Sequence, residues 1–425
     1  MLSPLEEAIR LRIHREGPIP FAHFMEMALY YPRGGYYRGG RGAGTGGDYF
    51  TSPQAHPAFG ALLAVQVYQV WEALGGPSPF SVVEQGAGEG LLASDLLAFA
   101  PFLDTDFYSA LRYLATDISR PSETDLAIQA GAQRLLASCL PVRGVVGCII
   151  ANELLDSFPV HRWRIHRGSL QEAYVALEGE RLAEVWGPPS TPALGEWVQA
   201  LGIPLVDGLE GEACLAMPSW AQEVSTALEC GMAIVIDYGG AAGDLYRPGR
   251  GGTIRAFRQH LATGTIYRYI GRQDITASVD FTSLQRCARE AGLEVLALTN
   301  QWAFLRNLGW DAFRRALLRL RLPPGDGEAN RFGLQALVQK EGLGGFGVCL
   351  LGKGLPPLEP WGVCGLTPPG QALLQRALME GAPRLTSAHM PLLAGRYPEQ
   401  AVTWRGFGSS DPHLASPWAE PYHGA

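Results

Sequence analysis

Seven consecutive residues, Glu84-Gln-Gly-Ala-Gly-Glu-Gly90, carry the first chemical signal in the chain. They follow a short apolar run at 80–84 and precede an apolar periodic stretch at 91–100, the layout of strand, turn and helix. Gly86, Gly88 and Gly90 let backbone approach a ligand where side chains would stand in the way. A dinucleotide fingerprint, GxGxxG, would need glycine at the position of Leu91. A phosphate loop would need a Gly-Lys-Ser/Thr ending, which does not follow. GxGxG with an acid two residues ahead is the pattern of S-adenosylmethionine sites, with Glu84 a candidate cofactor contact; a nicotinamide cofactor or a plain structural turn are the alternatives. Asp117 ends the next apolar run, where its carboxylate suits the two ribose hydroxyls.

Further polar residues close later apolar runs. Asn152 and Glu153 follow 146–151, and Asp156 comes three residues after Glu153. Asp237 and Tyr238 follow 232–236. Methyl transfer is an in-line displacement that rewards close, oriented reactants. A guanidinium stays protonated near neutral pH, so carboxylates must clamp it and help remove a proton. Glu153 and Asp156 are candidates for that work, or are acids favoured by a helix N-terminus. Asn152 could bond the cofactor's amino-acid end or cap a helix. His161 reads as a catalytic base or as a satisfied strand histidine. Asp237 and Tyr238 read as substrate contacts or turn residues. Asp274 and Asp280 could meet a cationic substrate or cap neighbouring structure. Arg255, Arg258 and His260 form a local basic cluster whose default is a solvated face.

Short apolar strands at 80–84, 113–116, 146–151, 232–236, 293–298 and 346–351 would position these groups. They alternate with helical stretches at 57–74, 91–100, 121–135 and around 300–339, which predicts a parallel sheet covered on both faces. Ligands in such sheets bind at the carboxyl ends of strands. Residues 3–30 read as helical, and 160–186 as hairpin material inserted between core units.

Several ordered segments resemble the MidA family of S-adenosylmethionine-dependent methyltransferases, which includes the mitochondrial complex I assembly methyltransferase. They are 18–37, 47–60, 82–90, 151–163, 234–240, 251–260, 273–281 and 341–354. The resemblance spans about 5–353. It implies a class I, Rossmann-like α/β fold with a mostly parallel seven-stranded sheet, helices on both faces, and inserted helical and hairpin elements. It divides the chain into a helical, Gly-rich cap region at 1–75, a cofactor-binding core at 76–354 and a Pro-rich extension at 355–425. Insertions on the substrate side would lie at about 160–230 and 240–340. It implies S-adenosylmethionine as cofactor and a protein arginine as acceptor, since the eukaryotic member is associated with dimethylation of an arginine in a complex I subunit. It places Asp48, Thr51 and Ser52 against the cofactor. The chain departs from the family pattern at Gln54 and Ala61, where Glu is favoured, at Ser278, where His is favoured, and at Ala256 and Phe257. A small-molecule methyltransferase and a non-catalytic assembly chaperone are the rival readings.

Composition bounds the rest. The 425 residues hold 34 Lys and Arg against 41 Asp and Glu, a formal charge of −7, which argues against a general nucleic-acid binder. No apolar run reaches the roughly 18 residues a membrane helix needs, and residues 1–17 read as an amphipathic helix, not a signal peptide. Seven scattered cysteines without a CxxC suggest neither a disulfide framework nor a metal site, and fit the cytoplasm. A homodimer is compatible with all of this. The 53 glycines and 31 prolines make up about a fifth of the chain, against a usual share of roughly 12%. Eight of those glycines fall between 34 and 47 and eleven prolines in 355–425. The first group reads as a linker or as a loop folded over a ligand, with Tyr36 and Tyr37 interleaved.

Overall fold

The structure is a computed structural model, and it describes residues 2–39, 51–122, 124–258, 261–262 and 265–389. Asp48 and His260 lie outside them, as do most of the Gly-rich segment and residues 390–425.

Seven strands form the central sheet: β1 (Phe80–Gln85), β2 (Leu111–Asp117), β3 (Gln133–Leu136), β4 (Val145–Asn152), β5 (Leu228–Asp237), β6 (Glu294–Asn300) and β7 (Gly347–Lys353). Their spatial order is β3-β2-β1-β4-β5-β7-β6. The sheet is parallel except for β7, which runs antiparallel to both β5 and β6. This is the class I arrangement, a mostly parallel sheet with helices on both faces. Strand order reverses between β1 and β4, so their carboxyl ends open a crevice at the rim.

Alternation along the strands builds two cores. Ile149 and Ala151 of β4, with Ala233 and Val235 of β5, point into one. Cys148, Ile150, Met232, Ile234 and Ile236 point into the other. The first core takes α1 (Pro4–Glu16), α2 (Phe21–Tyr30) and a second, five-stranded sheet. The second takes α3 (Ala58–Ala73) and α4 (Leu91–Leu103).

The stretch at 3–30 is broken at Gly17, where φ is +82°; Ile19–Pro20 then joins the second sheet before α2 begins. That sheet is built mainly from Ser169–Glu178, His161–His166, Arg181–Gly187 and Glu210–Ala213. The expected helix at 121–135 is instead a single turn, Leu126–Gln129, followed by β3. Gly131, at φ +90°, ends the turn, and the edge strand after it carries exposed Leu135 and Leu136. Helical periodicity at 300–339 resolves into Gln301–Asn307, Trp310–Arg319 and Pro324–Ala336.

Residues 361–364 pack on α3, and the helix that follows them packs on α4 and on Trp310–Arg319. Gln69 Oε1 accepts the Trp361 N–H at 2.8 Å and Gln66 Oε1 accepts the Gly362 N–H at 2.9 Å. Helix α6 (Pro368–Glu380; α5 is Phe281–Glu290) buries Leu373, Leu374, Ala377 and Leu378 in the second core.

Candidate active site

The turn after β1 is held by β2 and β3. Gly86 and Ala87 N–H groups both donate to the Thr116 carbonyl, at 2.9 and 3.0 Å. The Gly88 N–H donates to Asp117 Oδ2 at 2.8 Å, and Arg134 of β3 donates to the Gly88 carbonyl at 2.6 Å. Gly86, Gly88 and Gly90 have φ of +76°, +51° and +79°, the left-handed region that other residues avoid. The turn is also tight below: a Cβ on Gly90 would stand 2.5 Å from the Ala127 nitrogen. Asp117 remains at the rim, half-buried, with its other oxygen bonded to Ser119.

Glu84 plays a different part from the expected cofactor contact. It lies buried in β1, and Tyr113 donates to its Oε2 at 2.8 Å. Burial pushes its carboxyl up to about 8. It supports the turn from beneath.

Across the crevice, the ends of β4 and β5 carry three carboxylates. Glu153 has φ +51°, a conformation costly outside glycine. Its Oε1 accepts the Ser52 N–H at 3.0 Å and the Asn152 side-chain amide at 3.1 Å. Burial pushes Glu153 up to about 8 and Asp156 up to about 7. Asp237 is fully buried. Its Oδ2 accepts N–H groups of Leu154, Leu155 and Asp156 at 3.1, 2.9 and 3.2 Å, and its Oδ1 accepts the Tyr238 N–H at 2.9 Å. Asp237 therefore shapes the turn that presents Asp156, which replaces the expected substrate contact. Among the described residues, no Lys or Arg forms an ion pair with Glu153, Asp156 or Asp237.

The cap closes over this turn. Tyr30, ending α2, donates to the Ser157 carbonyl at 2.8 Å and stacks on Tyr37 with ring centroids 5.5 Å apart. Tyr37 donates to the buried Asp274 Oδ1 at 2.9 Å. The Ala277 N–H donates to the Asp156 carbonyl at 2.9 Å. Beside the cluster the Tyr238 hydroxyl interacts with Asp156 and with Thr276, whereas the buried Asn152 Oδ1 has no hydrogen-bond partner among the described residues. Buried polar atoms are nearly always bonded, so this oxygen fits a polar ligand. Thr51 and Ser52 open the short helix Ser52–Ala55 against Glu153. Ser52 Oγ also bonds Gln301, which is anchored to the Leu337 carbonyl. Gln54 fills the third helical position, where its side-chain oxygen accepts the Thr51 N–H at 3.1 Å, a job Gln does as well as Glu.

Two expected site residues fall elsewhere. His161 starts a strand of the second sheet and bonds Glu172 at 2.7 Å, away from the carboxylate cluster. Asp280 caps α5, accepting N–H groups of Thr282 and Ser283. Sequence reasoning missed Arg134, Tyr30, Thr276 and Gln301. Only Tyr36 and Tyr37, set among glycines, gave an early sign of the cap.

The sheet order and the glycine turn facing Asp117 define a class I methyltransferase that uses S-adenosylmethionine. Residues 62–299 match the Methyltransf_28 family of S-adenosyl-L-methionine-dependent methyltransferases, and the chain belongs to that family. The fold is similar to a COG1565 superfamily member from Burkholderia thailandensis bound to S-adenosyl-homocysteine, with a TM-score of 0.72 and 29% identity over 85% of this chain and 95% of that one. The chain is also 28% identical to the Drosophila melanogaster mitochondrial protein arginine methyltransferase NDUFAF7 homolog, over 80% of this chain and 82% of that protein. It is 28% identical to Homo sapiens mitochondrial protein arginine methyltransferase NDUFAF7, over 75% and 76%.

Proposed function

We propose that this methyltransferase modifies an arginine side chain of a partner protein. The observation that carries the reading is the carboxylate cluster. Buried Asp156 and Asp237 and half-buried Glu153 share one rim, and no cation among the described residues pairs with them. Burying like charges together is costly unless a cation offsets them. A guanidinium meets that need, and its planar fork suits carboxylates. The relatives named as arginine methyltransferases support the same class of acceptor.

Bound at the rim, S-adenosylmethionine supplies an electrophilic methyl on a sulfonium sulfur. The glycine turn and Asp117 would hold its nucleoside end, and the Asn152 side-chain oxygen its amino group. Asp156 orients one guanidinium nitrogen and takes the proton that nitrogen loses. Glu153 spreads the remaining positive charge. Tyr30 and Tyr37 wall the cleft with aromatic rings.

Labelled cofactor incubated with lysate from a strain lacking this protein tests the reading, with modified residues located by mass spectrometry. Label on arginine is expected. Label only on small molecules or on other side chains overturns it. Asp156→Asn should lower incorporation about 100-fold while calorimetric affinity for S-adenosyl-homocysteine stays unchanged.

A further inference from the structure

The acceptor side of the rim is braced from an unexpected direction. Residues 385–389 reach the helix Ser52–Ala55, whose first N–H holds Glu153. His389 is 1% exposed. Its Nδ1 accepts the Thr386 N–H at 3.3 Å, so the ring proton sits on Nε2 and points to Asp95 Oδ2 at 3.2 Å. Asp95 lies in α4 where α3 comes closest; a Cβ on Gly60 would stand 2.6 Å from the Asp95 Cβ. A second tie runs parallel. His56 Nδ1 accepts the Ala58 N–H at 3.0 Å, so its Nε2 donates to Asn330 Oδ1 at 3.2 Å. That same oxygen accepts the Leu385 N–H at 2.9 Å. The C-terminal segment is thus bonded, through Asn330, to His56, which follows the 52–55 helix, and residues 387–389 lie against that helix.

We propose that His389 is a positioning residue of the active site, holding the 52–55 helix so that Ser52 can fix Glu153. The proposal rests on Glu153 belonging to the acceptor site. The Ser52 N–H favours the charged form of Glu153. Among the described residues, four groups face that carboxylate: Ser52 from the short helix, Asn152 from β4, Asp156 from the turn and Asp237 from β5. Of these, Ser52 lies on the helix that residues 387–389 touch. Loosening it should leave Glu153 among acids with one donor fewer, and so raise its titration midpoint.

His389→Ala and His389→Gln in the full chain test this. Trp361, Gly362 and α6 keep the segment docked without the histidine. Glutamine retains a donor for Asp95. Amide exchange is followed at 52–55, with the amides of 154–156, held by Asp237, as internal reference. Glu153 ionisation is followed by infrared titration, its band assigned by its loss in Glu153→Gln. In His389→Ala, exchange at 52–55 should quicken about tenfold with 154–156 unchanged, and the Glu153 midpoint should rise by roughly one unit. Both should return in His389→Gln. Unchanged exchange overturns the proposal. So does faster exchange with a fixed midpoint, which would reduce His389 to a fastener of the segment. If His389→Ala fails to fold, Asp95→Asn weakens the same bond and is read the same way. Neither measurement needs a methyl acceptor, so failure of the arginine reading leaves the test intact.

Discussion

The two sides of the crevice are built by different means. On the β1–β2 side, main-chain groups do most of the holding: glycine N–H groups meet Thr116 and Asp117, and left-handed glycines bend the chain. On the β4–β5 side, side-chain carboxylates dominate, and they are held from a distance. Ser52 reaches Glu153 across 101 positions and Tyr37 reaches Asp274 across 237. The first side suits a ligand that is the same at every turnover. The second gathers acids whose ionisation burial opposes and an incoming cation would favour, so it suits an acceptor that comes and goes.

If that contrast holds, disturbing each side should fail differently. The largest effect is expected at Asp237. Asp237→Ala leaves three turn N–H groups and that of Tyr238 without their acceptor, and urea unfolding should show a loss of at least about 3 kcal/mol. An unchanged midpoint would break the claim that this side rests on buried carboxylates. Next comes Gly88→Val. A β-branched residue at φ +51° is strained and fills the turn. Calorimetry should find S-adenosyl-homocysteine bound about 100-fold more weakly, near 2.7 kcal/mol, with the Asp237-held turn intact by amide exchange.

A smaller effect is tied to pH. Glu153 has a folded value of about 8, raised above the ordinary carboxylate range by burial. Its stabilising contribution is full below the unfolded value and is lost as pH rises through about 8. The melting temperature should therefore fall between about pH 5 and about pH 9 in scanning calorimetry. Glu153→Gln should recover on the order of 1 kcal/mol at the alkaline end and almost nothing at the acid end. The smallest change is Gln54→Ala, which removes one capping acceptor and should cost roughly 0.5 kcal/mol in urea unfolding.

The same contrast explains what could be read in advance. The glycine turn, Asp117 and the strand alternation were legible because each depends on neighbours within a few residues. Strand β3 was not: residues 133–136 are short and exposed, and they carry a helix-compatible pattern that only pairing with β2 overrules. Asp237 showed as an acid at a strand end, but nothing local says that three amides from a turn some eighty positions earlier converge on it. His161 had a plausible sequence neighbourhood, yet the second sheet directs it to Glu172. Tyr30 and Gln301 act on the site through packing that no periodicity records.

One contact has a consequence for variation. Glu153 is gripped by the main-chain N–H of residue 52, not by its side chain. Another small residue in place of that fully buried serine leaves the donor where it is. Only proline lacks it. Tolerance to substitution at position 52 would therefore hide its importance from any scan that replaces residues with alanine. A proline scan, or an amide-to-ester exchange at that one bond, would uncover it.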